Sequence, residues 1–370
     1  MVSGSLSKAA VLLAAISGVT AQGGCTVTSY SALKGAIASC TSITIGDLEV
    51  PRNEALDLSL KSGTTVTFTG KVNFAPTPKP GRTKQLVTIT GSNIKIRGTT
   101  GHVINGNGQA YWDGVGGNSG KTIDKPKFFR LKLSNSEISN LHVKNVPVHV
   151  FSISGCSHLT LDGIRIDNSA GDAKTSGGKS LGHNTDAFDV GESNDITISN
   201  AWVHNQDDCL AINSGTNIKF LNGTCIGGHG LSIGSVGGRN NNVVKGVQIR
   251  NSKISKSENG VRIKTKAGEG KGSVSNVEYS NIVLDGITKR GIVIQQDYEN
   301  GGPTGKPGPE IHISDLTLSG ITGRVDGKAK AIYVLCASGG CSNWKWSGIN
   351  ISGGGSSCSG APAGASAFCK

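Results

Sequence analysis

Short runs of alternating apolar and polar residues recur along the chain, each closed by a turn rich in Gly, Asn and Ser. Examples are "VTITGSNIKIRG", "FSISGCSHLTLDGIRI", "AFDVGESNDITISNAWV", "CLAINSGTNIKFLNG", "GLSIGSVGG" and "GIVIQQDY". A period of two marks half-buried strands. The first apolar anchors of seven such units are Phe151, Phe188, Leu210, Leu231, Val261, Ile292 and Ile332, spaced 37, 22, 21, 30, 31 and 40 residues apart. One unit cannot bury its apolar face alone. Stacking on its neighbours buries it, which predicts a parallel β-helix with variable loops on a constant coil. A β-sandwich is the competing fold, but it needs hairpins, and two-residue hairpin turns are not the dominant punctuation. Ahead of these units, "YSALKGAIASC" (residues 30–40) reads as a short amphipathic helix capping the first coil.

Composition agrees with an all-β class. The 370 residues include 55 glycines, and only 5% are aromatic. That favours many turns and argues against a helical bundle or an aromatic-rich core. Residues 1–21 read as a signal peptide: Lys8 supplies the positive start, "AAVLLAAISGV" the apolar core and "VTA" the cleavage site. No Pro/Ser linker divides the remainder, so residues 22–370 are expected to form a single domain. Secretion makes the nine cysteines legible as disulfides. Clustering pairs Cys25 with Cys40, Cys209 with Cys225, Cys336 with Cys341 and Cys358 with Cys369, leaving Cys156 free and buried. A cysteine metal site is disfavoured, because no CxxC with matching histidines occurs. The net charge of +12 suits a polyanionic partner. Outside the cell, an acidic polymer is favoured over nucleic acid or membrane.

Titratable residues recur at one phase. Asp186, Asp208 and His229 each stand two residues ahead of an anchor, Phe188, Leu210 and Leu231. In stacked coils equal phase means equal lateral position, with rungs roughly 4.8 Å apart. With Asp207, these residues form a column of three carboxylates and an imidazole. In "VRIK" the inward Val261 and Ile263 leave Arg262 and Lys264 facing outward beside it. Crowded carboxylates cannot all ionise, so one is expected to hold its proton. A proton-donating acid beside a carboxylate that activates water or attacks is the equipment of glycoside hydrolysis. The two cations suit a substrate carrying its own carboxylates. Taken singly, each residue is as readily a turn cap or turn histidine. Parity poses one problem: Asp186 shares the inward parity of Phe188, so the backbone must bend between them.

The ordered set "NTD" (184–186), "QDD" (206–208), "GHG" (228–230) and "RIK" (262–264) resembles the four signature blocks of the polygalacturonase family of glycoside hydrolases. The likeness spans nearly the whole mature chain and is greatest to fungal endo-polygalacturonases. It implies a secreted, right-handed parallel β-helix that hydrolyses α-1,4 bonds between galacturonates in pectin, with inversion and without metal or cofactor. It also implies Asp207 as general acid, Asp186 and Asp208 as the residues that hold and deprotonate water, and His229 as tuner of the acid. Arg262 and Lys264 would grip a galacturonate carboxylate, and Asn184 would bind substrate. The cysteine pairs match the family's pattern. A working monomer and plant inhibitor proteins as partners are further expectations. One position departs from the family: "GITKRG" places Arg290 where relatives commonly have Tyr, which predicts weaker ring stacking partly offset by carboxylate binding. Sequons mark Asn222 and Asn350 as glycosylation candidates. The alternatives are an exo-acting polygalacturonase, a rhamnogalacturonan hydrolase, a calcium-dependent pectate lyase on the same fold, and a non-catalytic pectin-binding protein.

Overall fold

A computed structural model describes residue 1 and residues 24–77, 85–117, 123–299 and 302–369. Apart from Met1, the expected signal peptide lies outside the described residues. Among the described residues, thirty strands join one continuous, parallel, hydrogen-bonded sheet that winds into a coil. Parallel crossovers of this kind wind right-handed, so the architecture is a right-handed parallel β-helix. The anchors pair as their common phase requires. Phe151 lies opposite Phe188, Phe188 opposite Leu210, and Leu210 opposite Leu231. Leu231 then pairs with Val261, Val261 with Ile292, and Ile292 with Ile332. The spacings differ because the loops differ, while the strand register stays constant.

The interior is a column of Ile, Val, Leu and Phe side chains with almost no solvent exposure. Against the compositional expectation, aromatics form a spine through it. Phe74, Phe128, Phe129, Phe151, Phe188 and Phe220 follow one another at ring separations of 5.1, 4.9, 4.6, 5.5 and 6.4 Å. These are six of the eight phenylalanines in the chain. Scarcity in the composition concealed concentration in one place. Each such contact adds about 0.5–1.5 kcal/mol beyond the area it buries.

The helix Tyr30–Ser39 buries Leu33 and Ala36 at the start of the coil, as the amphipathic reading expected. Disulfides join Cys25–Cys40, Cys209–Cys225, Cys336–Cys341 and Cys358–Cys369, and Cys156 is free and buried. Many turns are made by asparagines with positive φ, such as Asn200 (54°) and Asn222 (56°). The short amide side chain tolerates that conformation. It also bonds from coil to coil: the Asn222 amide donates to the Asn200 oxygen at 3.3 Å. Asn222 and Asn350 are both exposed.

Candidate active site

The site is built at a corner of the coil, where the chain bends just before three successive strands. Phe188–Gly191, Leu210–Ile212 and Leu231–Val236 begin two residues after Asp186, Asp208 and His229. Ala187 and Cys209 form the bends, and both side chains enter the core. The bend resolves the parity problem. Ala187 and Phe188 are consecutive buried residues, so Asp186 can face the cleft although it shares the parity of Phe188. Gly228 and Gly230 make the turn around His229, with φ of 68° and 95°. A Cβ on Gly228 would lie 2.2 Å from the Asp207 carbonyl oxygen, so the tight approach of these coils requires glycine.

Asp207 and His229 are a tight pair. The imidazole Nδ1 lies 2.8 Å from Asp207 Oδ1. That oxygen also accepts the Asp208 backbone N–H, and the Asn184 amide donates to Oδ2 at 3.0 Å. Burial favours the neutral acid, but the His229 charge, its hydrogen bond, Lys264 and the Asp208 N–H outweigh it and hold Asp207 well below the usual carboxylate range. Burial likewise opposes charge on His229. Asp207, then Glu258 and Asp208, overcome it and raise the ring to about 9. The proton of this pair therefore rests on the imidazole, and its loss belongs to the pair rather than to either group.

Asp208 is held by cations. Lys264 Nζ lies 2.7 Å from Oδ2, while Ser232 Oγ and Arg262 approach Oδ1 at 2.7 and 3.4 Å. Lys264 and Asp208 are only 7% and 3% exposed, so this is a buried ion pair. Tyr298, on a small hairpin, places its ring 5.5 Å from the Arg262 guanidinium and 5.0 Å from Lys264.

Asp186 is the carboxyl whose proton affinity is raised. Burial, then Asp207 and Asp189, push it well above the ordinary value, and His149 only partly offsets them. The expectation of one raised acid is met at this residue. His149 Nδ1 sits 2.8 Å from Asp189, off the line of a good hydrogen bond, and Nε2 sits 3.8 Å from Asp186. These groups line an open cleft of about 1090 Å³, with Lys179, Arg239, Lys266 and Lys289 on its flanks.

A family model described as glycosyl hydrolases family 28 matches residues 40–367. The chain belongs to that family. It is 52% identical over 365 residues to a polygalacturonase of Cochliobolus carbonum, covering 98% of this chain and 97% of that one. It is 54% identical over 354 residues to endopolygalacturonase 1 of Colletotrichum lindemuthianum, covering 94% and 93%. The structure also resembles endopolygalacturonase I from Stereum purpureum, solved with two galacturonates. The TM-score is 0.74 at 38% identity, covering 89% of this chain and 95% of that chain.

In this family 28 chain, Asp186, Asp207, Asp208, His229, Arg262, Lys264 and Asn184 all line one cleft. Three of them make contacts other than those expected. Asn184 donates to Asp207, so in the free protein it orients an acid. Arg262 and Lys264 both reach Asp208, although the buried Arg262 Nε keeps no partner among the described residues. Arg290 stacks its guanidinium 4.7 Å from the Tyr333 ring, and Lys289 lines the cleft at this level.

Sequence reasoning missed His149, Asp189, Glu258, Lys289 and Tyr298. His149 was within reach, because it stands two residues ahead of Phe151, the first anchor. Asp207, Asp208 and His229 also offer donor atoms within 4.8 Å of one another, a spacing that a metal ion can bridge. Their oxygens are already engaged by the imidazole N–H, Ser232 and the Lys264 ammonium. A second cation would have to displace a buried one.

Proposed function

We infer that this chain is a secreted endo-polygalacturonase that hydrolyses α-1,4 bonds within polygalacturonate. The observation that carries the mechanism is the hydrogen-bonded Asp207–His229 pair, which shares a proton, lining the same cleft as the Asp186 carboxyl. A pair that holds a proton and a second carboxyl that can take one are the equipment of general acid and base work. Water attacks the anomeric carbon as its bond to the leaving oxygen breaks. Asp207 gives that oxygen a proton drawn from the pair it shares with His229. Asp186, once ionised, takes the proton of the water, and Asp208 orients that water. Arg262, through its unpartnered Nε, and Lys289 bind substrate carboxylates. The flanking lysines suit a polyanion. Inversion, a working monomer and recognition by plant inhibitor proteins rest on the family resemblance.

Secretion is supported by the four disulfides, which persist in oxidising compartments. No helix among the described residues is long and apolar enough to cross a membrane. The exposed Asn222 and Asn350 remain the glycosylation candidates.

Product analysis on polygalacturonate tests the reaction. A spread of saturated oligomers with new reducing ends is expected early in the digest. Monomer or dimer alone would make the enzyme exo-acting, and ultraviolet-absorbing products would make it a lyase.

The pH profile of kcat/KM should be bell-shaped, because it reports the free protein's groups. Asp186 must lose its proton to act as base. Its affinity is raised, so the acid limb is expected above the ordinary carboxylate value of about 3.8. The Asp207–His229 pair must keep its proton, so the alkaline limb is expected near 9. An acid limb at or below the ordinary value would remove Asp186 from the base role.

A further inference from the structure

Glu258 stands three residues ahead of Val261, as Asp207 stands three ahead of Leu210. Leu231, the anchor that follows His229, pairs with both Leu210 and Val261. Asp207 and Glu258 therefore occupy equal phase on the two coils that flank the histidine's own. The side chains use that placement. Asp207 Oδ1 lies 2.8 Å from the ring's Nδ1, and Glu258 Oε2 lies 3.3 Å from its Nε2.

The backbone fixes the Glu258 side. Its N–H donates to the Gly228 carbonyl at 2.8 Å, and the Ser257 hydroxyl donates to the same oxygen at 3.0 Å. The turn that carries His229 is thus tied to the residue that contacts the ring. Lys289, a cleft residue, donates to the same Glu258 oxygen at 2.7 Å, and its own N–H bonds the Glu258 carbonyl.

We propose that Glu258 is a positioning residue for the reaction. It holds the far nitrogen of His229 while Asp207 holds the near one, so the ring keeps both N–H groups and the proton that it shares with Asp207. This rests on the reading of Asp207 and His229 given above. A neutral imidazole has one N–H and one bare lone pair. A ring clasped between two carboxylates must place a lone pair against an anion whenever it loses a proton, which keeps it charged. Among the described residues, Asp208, from the same bend as Asp207, and His183, from the segment before Asn184, also act on the ring. Lys289 opposes the effect by sharing the Glu258 oxygen. A substrate carboxylate that drew Lys289 away would strengthen the clasp as the cleft fills.

The test compares Glu258→Gln, Glu258→Ala and Glu258→Asp with the unaltered protein in two measurements. One is the titration of the His229 ring by NMR on histidine-labelled protein, with its signal assigned by its loss in His229→Gln. The other is the pH profile of kcat/KM. Gln and Ala are expected to lower the ring's midpoint and to move the alkaline limb acidward together, by about half to one unit. At the original limb midpoint this is a loss of about two- to fivefold, rising to about three- to tenfold well above it. Asp, shorter but charged, should recover part of both shifts. An unmoved ring midpoint overturns the proposal. So does a ring midpoint that moves while the limb stays, because the contact then has no part in turnover. Asp207→Asn distinguishes the two levels: if that variant keeps full activity, the underlying site reading fails instead.

Discussion

Asp207→Asn is expected to lower kcat on polygalacturonate by about two to four orders of magnitude, the contribution of a positioned general acid. The fold should survive, because the amide has the shape of the carboxyl and its oxygen can still accept from His229 and the Asp208 N–H, at the loss of the bond from Asn184. Substrate binding should also survive, since Arg262 and Lys289 are untouched. The substitution has a second signature. Asp207 is the strongest force that keeps His229 charged, so the ring should titrate well below its original value of about 9. Asp207 also raises the proton affinity of Asp186. The acid limb of any residual activity should therefore move to lower pH. Single-turnover kinetics with an equilibrium binding measurement would separate the effects. Unchanged turnover would exclude Asp207 as the proton donor.

Lys264→Met should be nearly as damaging, for a different reason. It strands the Asp208 carboxylate in the interior. Removing one partner of a buried pair typically costs about 3–5 kcal/mol, because the other charge is left without compensation. Ser232 and Arg262 still reach one Asp208 oxygen, so the lower part of that range is expected. Urea denaturation would show it as a reduced midpoint with an unchanged slope. The double variant Lys264→Met with Asp208→Asn removes both charges and should recover most of the stability. It should not recover activity, because the Asp208 carboxylate that orients the attacking water is gone. A single variant as stable as the original would mean that the pair does not anchor this corner.

These two residues mark where the chain's text stops being sufficient. The anchors were legible because a parallel coil repeats its inward residues at constant register, and loop length does not alter that register. Phe151, Phe188, Leu210, Leu231, Val261, Ile292 and Ile332 could therefore be aligned without knowing any loop. The cysteine pairs were legible for a related reason: the partners are close in sequence, where a short loop is readily closed. The two-ahead rule found Asp186, Asp208 and His229, and carried one unit further it would have found His149. Composition was the weaker guide, since a low aromatic content hid a ladder of six phenylalanines.

Contacts between coils were not legible in the same way. Phase states which residues share a lateral position, but it does not state where a side chain points or which of several neighbours it meets. The outward parity of Arg262 and Lys264 follows from "VRIK". Their choice of Asp208 follows from burial, which makes an unpaired ion costly and draws the nearest opposite charge. Glu258 carried no signal of its own in the sequence, because its contact with His229 exists only once the coils are stacked. The chain by itself determined the coil, its register and the column of acids with a histidine, because these depend on local periodicity. The tertiary structure alone decided which acid gains proton affinity, which is paired with a cation and which second carboxylate clasps the histidine. Those outcomes depend on distances between residues 21 to 56 positions apart and on the exclusion of water around them.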